Sequence, residues 1–334
     1  MAKRRRKREE NKSRLSKASD PQERYQLALN DGKKLYNAFN DNESKKSILH
    51  RIKGILPKKS VGYYLFNSKG ESEIESIYEY YSRTEIQQAM YSYSARRQIT
   101  FLKRFYPQFE YIKSSRDILH LALYVLFESG KYWPSFHGTV SKYDPQNNMS
   151  LCDAVLEVDF KSSWKKCFAM TRPIVDLLQD RGAVFRLKFS GHCSVHIIIP
   201  GEALVIKGFP VDHAKFFRHL SDMVKKRLQE PRHLDTSFYM THHFLRLAYS
   251  INENTGLVSL PFLVEDYDRF DPSWAKPERV KPIDGWLSMP KNTPQRMEDF
   301  IKYIMRGKVF LASSSPVARK IVEDNQMAKW GVDQ

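Results

Sequence analysis

Apolar residues recur at helical spacing along the first third of the chain. Between Asp20 and Lys53 they fall roughly on one face, with Leu27 and Leu35 among them, until Pro and Gly interrupt the pattern in ILPKKSVGYY. A second helical stretch covers about residues 73–103. A third follows in SSRDILHLALYVLFESG, where Ser and Asp can cap a helix that Gly130 ends. The N-terminal third is therefore predicted to be helical.

Short apolar runs separated by turns replace this pattern after Tyr132. Strands are predicted in WPSFHGTVSKY, DAVLEVDF, AVFRLKF and VHIIIP, with a later one in TGLVSLPFLV. Helices are predicted in SSWKKCFAMTRPIVDLLQDRG, which contains Pro173 and ends at Gly182, in VDHAKFFRHLSDMVKKRLQ, and from Thr293 onward. The order strand, helix, strand, strand predicts an α+β fold with helices on one face of a sheet.

The composition is that of a globular and strongly basic protein. Of the 334 residues, 41% are hydrophobic and 13% are aromatic, which is enough for a packed core. Lys+Arg 55 against Asp+Glu 38 gives a net charge of +17. Together with a pI near 9.6, this charge favours a polyanionic partner, chiefly nucleic acid. The run of Lys and Arg from Lys3 to Arg8 predicts a disordered basic tail over residues 1–19.

Cysteine usage argues against a disulfide-rich or zinc-binding protein, and hydropathy argues against a membrane-spanning one. Cys152, Cys167 and Cys193 are too few and too widely spaced for a disulfide framework or a zinc module. We therefore expect a reducing compartment and no structural zinc. No apolar run approaches the roughly 18 residues of a membrane span, so we expect no membrane association and a cytoplasmic, nucleoid-associated location, or a nuclear one in a eukaryote.

Two carboxylates share one face of a predicted strand. Glu157 and Asp159 lie two positions apart in VLEVDF, and alternate strand residues point to the same side of a sheet. Like charges held this close favour a hard divalent cation such as Mg²⁺ or Mn²⁺. The competing interpretation is an amphipathic strand whose acidic residues face water.

A polar loop joins the two following strands in RLKFSGHCSVHIII. Ser190 and Ser194 offer hydroxyl groups, glycine permits close backbone approach, and His196 stands at the start of a buried strand, so the loop could hold a phosphate. Ser and Gly could instead simply form a hairpin turn, with His196 bonded to a neighbouring carbonyl. A zinc site from His192, Cys193 and His196 is less favoured because no fourth ligand is evident.

A third acidic residue and an arginine follow in HLDTSFYMTHHFLRLAYSINENTG. Asp235 begins an apolar stretch, and Arg246 precedes a turn that leads into the next strand. The guanidinium of arginine suits a two-point grip on phosphate oxygens.

These three motifs, in this order, resemble those of the archaeo-eukaryotic primase superfamily, which includes the small catalytic subunit of replicative primase and the polymerase domains of bacterial end-joining ligases. The first motif is Glu157-Val158-Asp159, and the second runs from Ser190 to His196, with Ser194 fitting its shorter form. The third is Asp235 followed by an Arg-x-x-Ser-x-x-x-x-Thr-Gly turn that begins at Arg246. The resemblance spans roughly residues 78–272.

The resemblance implies a fold, a reaction and a set of ligands. It implies an α+β fold with an RRM-like mixed or antiparallel sheet as the catalytic core of the primase-polymerase type, and helical N- and C-terminal flanks. Glu157, Asp159 and Asp235 would hold two Mg²⁺ or Mn²⁺ ions for attack of a 3′-hydroxyl on the α-phosphate of an NTP or dNTP. The nucleotide-binding residues would be Ser190, Ser194, His196 and Arg246. The zinc-binding insertion of replicative primases is expected to be absent.

The chain is accordingly predicted to divide into a tail over 1–19, a helical accessory region over 20–75, a primase-polymerase catalytic domain over 76–285 and a C-terminal helical region over 286–334. Expected partners are a single-stranded DNA template with its primer, and a primase large subunit or a helicase. A catalytically inactive relative that binds single strands is the main alternative. A metal-dependent nuclease using the same carboxylates is a weaker one.

Overall fold

A computed structural model describes residues 20–40, 71–101, 111–129, 133–160, 163–237 and 243–306. The predicted basic tail, the predicted helical residues 41–53 and the end of the predicted C-terminal helical region lie outside these ranges. The α-helices of the described part are α1 Pro21–Asn40, α2 Glu71–Ser82, α3 Thr84–Ser94, α4 Asp117–Ser129, α5 Trp164–Asp180, α6 His213–Lys225 and α7 Thr293–Ile304.

The strands of the described part are short. They are β1 Ile99–Phe101, β2 Phe136–Thr139, β3 Ser141–Tyr143, β4 Met149–Cys152, β5 Ala154–Val158, β6 Arg186–Phe189, β7 Val195–Ile199, β8 Val205–Ile206, β9 Phe209–Pro210, β10 Leu234–Asp235, β11 Phe244–Arg246 and β12 Pro261–Phe262. They form a five-stranded sheet in the order β10-β5-β7-β6-β12, a three-stranded sheet in the order β1-β2-β11, and two hairpins, β3-β4 and β8-β9.

The strand pairs of the five-stranded sheet are antiparallel throughout. The protein is therefore a mixed α+β protein with small antiparallel sheets, as its sequence predicts. No helix in the described residues is both long enough and apolar enough to cross a lipid bilayer.

The chain divides into two compact units that interleave along the sequence. One unit comprises the described residues up to Gly138, with Arg246–Leu260 and Asp271–Pro282. The other comprises Thr139–Leu245, Pro261–Phe270 and the described residues from Ile283 onward. The chain passes from one unit to the other five times, so the units are not consecutive segments of sequence. The predicted boundaries at 75 and 285 stay predictions.

Helices α1 and α4 pack against each other in the first unit. The hydroxyl of Tyr25 donates to Asp117 Oδ2 at 2.6 Å and accepts from the amide of Lys113 at 3.1 Å. Burial, reinforced by Asp117, raises the pKa of Tyr25 far above its usual value. A Cβ atom on Gly32 would lie 1.9 Å from the carbonyl oxygen of His120, so the close approach of the two helices depends on the absence of a side chain there.

The predicted helix over residues 73–103 is broken after Ser82. Arg83 adopts an extended conformation between α2 and α3, and its guanidinium donates to the carbonyls of Pro277 and Val280 at 3.2 and 2.7 Å. These acceptors lie nearly 200 positions away in the sequence, so helical periodicity alone gives no sign of the break. The prediction was also wrong at its end, where residues 99–101 form β1.

In the second unit, α5 packs on β5 and β7 of the five-stranded sheet. Ser163 caps this helix by accepting from the amide of Lys166 at 3.3 Å, and the helix continues through Pro173 to Asp180. Phe168 of α5 stacks against the ring of Phe270 and lies near the ring of Phe189 in β6. Helix α5 therefore covers the sheet face on which Phe189 lies.

A buried lysine joins the hairpin β3-β4 to the turn after β7. The ammonium of Lys142 lies 3.1 Å from Asp153 Oδ1 and 2.5 Å from Glu202 Oε2. Asp153 is only 1% exposed and also accepts from the amide of Gly201 at 2.9 Å. Burial raises the pKa of Glu202, but the charge and hydrogen bond of Lys142, together with a backbone hydrogen bond, outweigh it and hold the pKa below its usual value. This cluster is a paired structural ion network.

Gly32→Ala tests the contact between α1 and α4. Alanine normally stabilises a helix interior by about 1 kcal/mol relative to glycine. Because the added methyl group would meet the His120 carbonyl, we expect overpacking to reverse the sign and to destabilise the protein by about 1–3 kcal/mol. The measurement is the thermal unfolding midpoint, with Asn30→Ala at an exposed position of the same helix as the control. An unchanged or raised midpoint in Gly32→Ala would contradict this packing.

Lys142→Met tests the buried ion network. Removing the ammonium leaves Asp153 and Glu202 charged and without their lysine, and breaking a buried ion pair in this way costs about 3–5 kcal/mol. Chemical denaturation should show this loss, while the exposed Lys165→Met should change stability by less than about 0.5 kcal/mol. Equal stabilities for the two variants would show that the network is not structural.

Candidate functional site

Two of the three predicted acidic residues lie directly opposite each other in the sheet. Strands β5 and β10 pair antiparallel with Asp235 in register with Glu157. Side chains at paired positions point to the same face, with Cβ atoms about 5 Å apart. The amide of Asp159 donates to the carbonyl of His233 at 2.9 Å, so the pairing of the two chains continues one residue past β5. The structure thus brings Asp235 beside the Glu157 and Asp159 pair.

The register of the remaining strands extends this arrangement across the sheet. His196 of β7 pairs with Glu157, and Lys188 of β6 pairs with His196. We call Asp235, Glu157, His196 and Lys188 the polar row. Because Lys188 and Phe189 are consecutive strand residues, they point to opposite faces, and the polar row lies on the face away from α5.

Hydrogen bonds connect the polar row from Lys188 to Glu157. The ammonium of Lys188 lies 2.9 Å from Nδ1 of His196, and Nε2 of His196 lies 3.2 Å from Oε1 of Glu157. The hydroxyl of Ser194 donates to the same Glu157 oxygen at 2.5 Å. A charged ammonium group can only donate, so with Lys188 charged Nδ1 of His196 accepts, and a neutral imidazole then carries its proton on Nε2, toward Glu157.

The two ends of the polar row differ in their exposure to solvent. Lys188 is fully buried and His196 is 3% exposed, whereas Glu157 and Asp235 are half-buried. The carboxylate end is therefore open to solvent and to ligands, and the basic end is enclosed by the protein. Asp235 also accepts from the amide of Ser237 through Oδ1 at 2.7 Å, which fixes the turn that follows β10.

Two cysteines near the predicted carboxylates have pKa values above the usual range. Burial raises the pKa of Cys167 to about 11, and the nearby charges of Asp159 and Glu157 act in the same direction against a backbone hydrogen bond from Phe160. Burial and the charge of Asp159 also raise the pKa of Cys193, which lies in the loop between β6 and β7. Both thiols stay protonated at neutral pH, so neither is prepared to act as a nucleophile or as a thiolate ligand.

The loop between β6 and β7 is shaped by Ser190. Its hydroxyl accepts from the amides of His192 and Ser194 at 3.2 and 3.1 Å, and its own amide donates to the carbonyl of Ser194 at 2.9 Å. Gly191 takes a φ of +81°, which the tight turn requires. The hairpin interpretation therefore describes the loop correctly, and a role of Ser190 in phosphate binding stays a prediction.

Arg246 lies in the first unit, whereas the other six predicted site residues lie in the second. Its guanidinium forms an ion pair with Glu253 and donates to Ser135 Oγ at 3.3 Å. Burial raises the pKa of Glu253, but the charge of Arg246, together with hydrogen bonds from Arg246, Ser135 and the backbone, outweighs it and lowers the pKa. The predicted turn after Arg246 is present, with Asn252 Oδ1 accepting from the amide of Asn254 at 2.9 Å. Phosphate binding by Arg246 stays a prediction.

Lys188 is the member of the polar row that sequence reasoning missed. In RLKF it looks like the exposed half of an alternating strand, because basic and apolar residues alternate there. Only the strand register links Lys188 to the site, because it sets Lys188 directly across from His196.

The site is not arranged as a complete metal site in the structure. Across the residues that the structure describes, no group of three or more His, Cys, Asp or Glu side chains converges closely enough to hold a metal ion. The His192, Cys193 and His196 alternative is not supported by the geometry, since His192 is exposed and His196 is turned toward Glu157.

Comparison with known proteins gives little direct guidance. No family model matches the chain, and no curated protein matches it. Among solved structures it is similar to the polymerase domain from Mycobacterium tuberculosis Ligase D in complex with DNA, with a TM-score of 0.43 and 12% sequence identity over 74% of this chain and 91% of that chain.

Asp235→Asn tests whether the paired carboxylates repel each other. Like charges directly opposite in a sheet are destabilising by about 0.2–1 kcal/mol, and asparagine keeps the oxygen that accepts from Ser237. We expect the variant to be more stable than the unmodified protein by that amount in chemical denaturation at neutral pH without divalent cations. The exposed Asp284→Asn serves as the control and should be neutral. A loss of stability in Asp235→Asn would show that the fold uses this charge.

Proposed function

We propose that the protein is a template-dependent nucleotidyltransferase, a primase or a primase-polymerase. The observation that carries the proposal is the register that sets Asp235 opposite Glu157, with Asp159 two positions beyond Glu157. This register supports the proposal because it brings together two acidic residues that the resemblance to archaeo-eukaryotic primases assigns to one site. The RRM-like description of the core belongs to this proposal and agrees with the antiparallel order of the five-stranded sheet.

The residues at the open end of the polar row fit divalent cations. Three carboxylates supply the hard oxygen ligands that Mg²⁺ and Mn²⁺ prefer. Glu157 and Asp235 are half-buried like charges on paired positions, an arrangement that costs stability unless a cation lies between them. Glu157, Asp159 and Asp235 would therefore hold the ions, and small side-chain rotations at this open end would complete their convergence.

Neighbouring residues would hold the Glu157 carboxylate in place for cation binding. Ser194 and His196 both bind Oε1 of Glu157 and so restrict the orientation of its carboxylate. Bound cations supply Lewis-acid chemistry, which lowers the pKa of an attacking 3′-hydroxyl and neutralises charge on the α-phosphate and on the departing pyrophosphate. No protein nucleophile is required, in agreement with the protonated state of Cys167 and Cys193.

Phosphate and nucleic-acid contacts complete the proposal. Ser190, Ser194, His196 and Arg246 would contact the phosphates of an incoming NTP or dNTP, and in Ser194 and His196 this role would be shared with the orientation of Glu157. The net charge of +17 supports binding of a single-stranded DNA template and primer through phosphate contacts whose affinity falls with salt. A primase large subunit or a helicase would be the protein partner. The location would be the cytoplasm with its nucleoid, or a eukaryotic nucleus.

A catalytically inactive protein that binds single strands is the second candidate. The observation that favours it is the engagement of Ser194 and His196 with Glu157, which uses two predicted phosphate ligands within the protein. The two candidates differ in whether the open carboxylates take up cations and support synthesis.

Asp159→Ala separates the candidates. Loss of a metal ligand removes several kcal/mol of transition-state stabilisation, so primer extension with Mn²⁺, dNTPs and a labelled annealed primer should fall at least about a hundredfold. The variant should keep its thermal unfolding midpoint and its affinity for single-stranded DNA. Asp284→Ala, which removes an exposed acid, should extend the primer like the unmodified protein.

The alternatives give different products in the same assay. Full extension by Asp159→Ala would refute the assignment of this carboxylate. A DNA shift without extension by the unmodified protein would show a single-strand binder, and shortened strands would show a nuclease. A parallel reaction with bare template and all nucleotides shows whether synthesis starts without a primer.

A further inference from the structure

We propose that Lys188 is a positioning residue that sets the tautomer and ring orientation of His196 and, through it, the orientation of the Glu157 carboxylate. The inference rests on the proposed function, because it assigns the purpose of this orientation to cation binding by Glu157. It adds a residue outside the three motifs to the site.

The burial of Lys188 calls for an explanation. It lies in the middle of β6 between Leu187 and Phe189, and all three side chains are buried. An apolar residue would suit such a position, since the transfer of an ammonium group from water into a protein interior costs several kcal/mol. A lysine there needs hydrogen-bond acceptors that the fold supplies, and Nδ1 of His196 at 2.9 Å is one of them.

The direction of the hydrogen bonds follows from the chemistry of the groups. The ammonium of Lys188 has no lone pair, so it donates and His196 accepts at Nδ1. A neutral imidazole that accepts at one nitrogen carries its proton on the other, and Nε2 lies 3.2 Å from Glu157 Oε1. Exchange of Lys188 for an apolar residue would remove the donor that fixes this tautomer.

Glu157 is the end point of this chain of contacts. His196 and Ser194 approach the same carboxylate oxygen, one from β7 itself and the other from the loop before it. Two donors on one oxygen fix the carboxylate plane, while Asp235 stands opposite on β10. Residues that hydrogen-bond a metal ligand, or that orient such a residue, commonly change metal affinity by about 10–100-fold when they are removed.

The first test uses the unmodified protein and reads the tautomer of His196. Long-range ¹H–¹⁵N correlation spectra distinguish a protonated from an unprotonated ring nitrogen, and the His196→Gln spectrum identifies the resonances of this residue. We expect Nε2 to be protonated and Nδ1 to be unprotonated at neutral pH. A proton on Nδ1, alone or with one on Nε2, would overturn the inference because Lys188 could not then donate to it.

The second test uses Lys188→Met, which keeps the chain length and removes the donor. Loss of the donor to the buried Nδ1 of His196 costs about 1–3 kcal/mol, which a protein of ordinary stability survives, so the variant should fold. We expect altered His196 tautomer populations and Mn²⁺ binding, followed by electron paramagnetic resonance, weakened about 10–100-fold. The exposed Lys281→Met should change neither.

The outcomes separate this inference from the proposed function. Unchanged His196 spectra or unchanged Mn²⁺ affinity in a folded Lys188→Met protein would overturn the positioning role. Failure of the unmodified protein to extend primers would refute polymerase activity, yet the tautomer and Mn²⁺ measurements need neither nucleotide nor DNA. If Lys188→Met does not fold, the spectrum of the unmodified protein still decides.

Discussion

The site depends on the contacts that Ser194 and His196 make with the carboxylate of Glu157. These contacts exist only because β5 and β7 pair in the register that sets His196 beside Glu157. A shift by one residue would turn Glu157 toward the face that α5 covers and would send the apolar side chains of β5 to the other face. The alternating apolar residues of the two strands, which bury the α5 side, therefore also fix the position of the polar row on the opposite face.

Two lysines of the second unit are buried, and their ammonium groups have different kinds of partner. Lys142 lies directly against Asp153 and Glu202 and forms a paired structural network. Lys188 is linked to a carboxylate through the ring of His196, and that carboxylate stands at the open end of the sheet. The cost of burying each ammonium is thus offset by polar partners, two carboxylates for Lys142 and the ring of His196 for Lys188.

Much of this architecture could be predicted because it follows from local periodicity. The strands β5, β6 and β7 and the helices α5, α6 and α7 all lie within segments whose apolar pattern and caps predict them. The ordered motifs also single out Glu157 and Asp235, which the strand register sets opposite each other. These elements are specified by residues near to one another in the sequence.

What could not be predicted depends on contacts between distant segments. The break at Arg83 is fixed by carbonyls of Pro277 and Val280, and the later strand in TGLVSLPFLV is reduced to Pro261–Phe262 and one isolated bridge between Ile251 and Val258. Lys188 lies in an ordinary alternating strand pattern. Its link to the site follows only from its pairing with His196 across the hairpin. Interleaving of the two units likewise leaves no trace in composition.

We propose that Glu157 and Asp235 together bind a cation on the face of the sheet opposite α5. Anomalous diffraction from crystals equilibrated with Mn²⁺ would locate such an ion. We expect an anomalous peak bound by oxygens of both carboxylates at about 2.0–2.3 Å, close to the distances that hard divalent cations take. No peak at these carboxylates at saturating Mn²⁺, or a peak bound to other residues only, would contradict it.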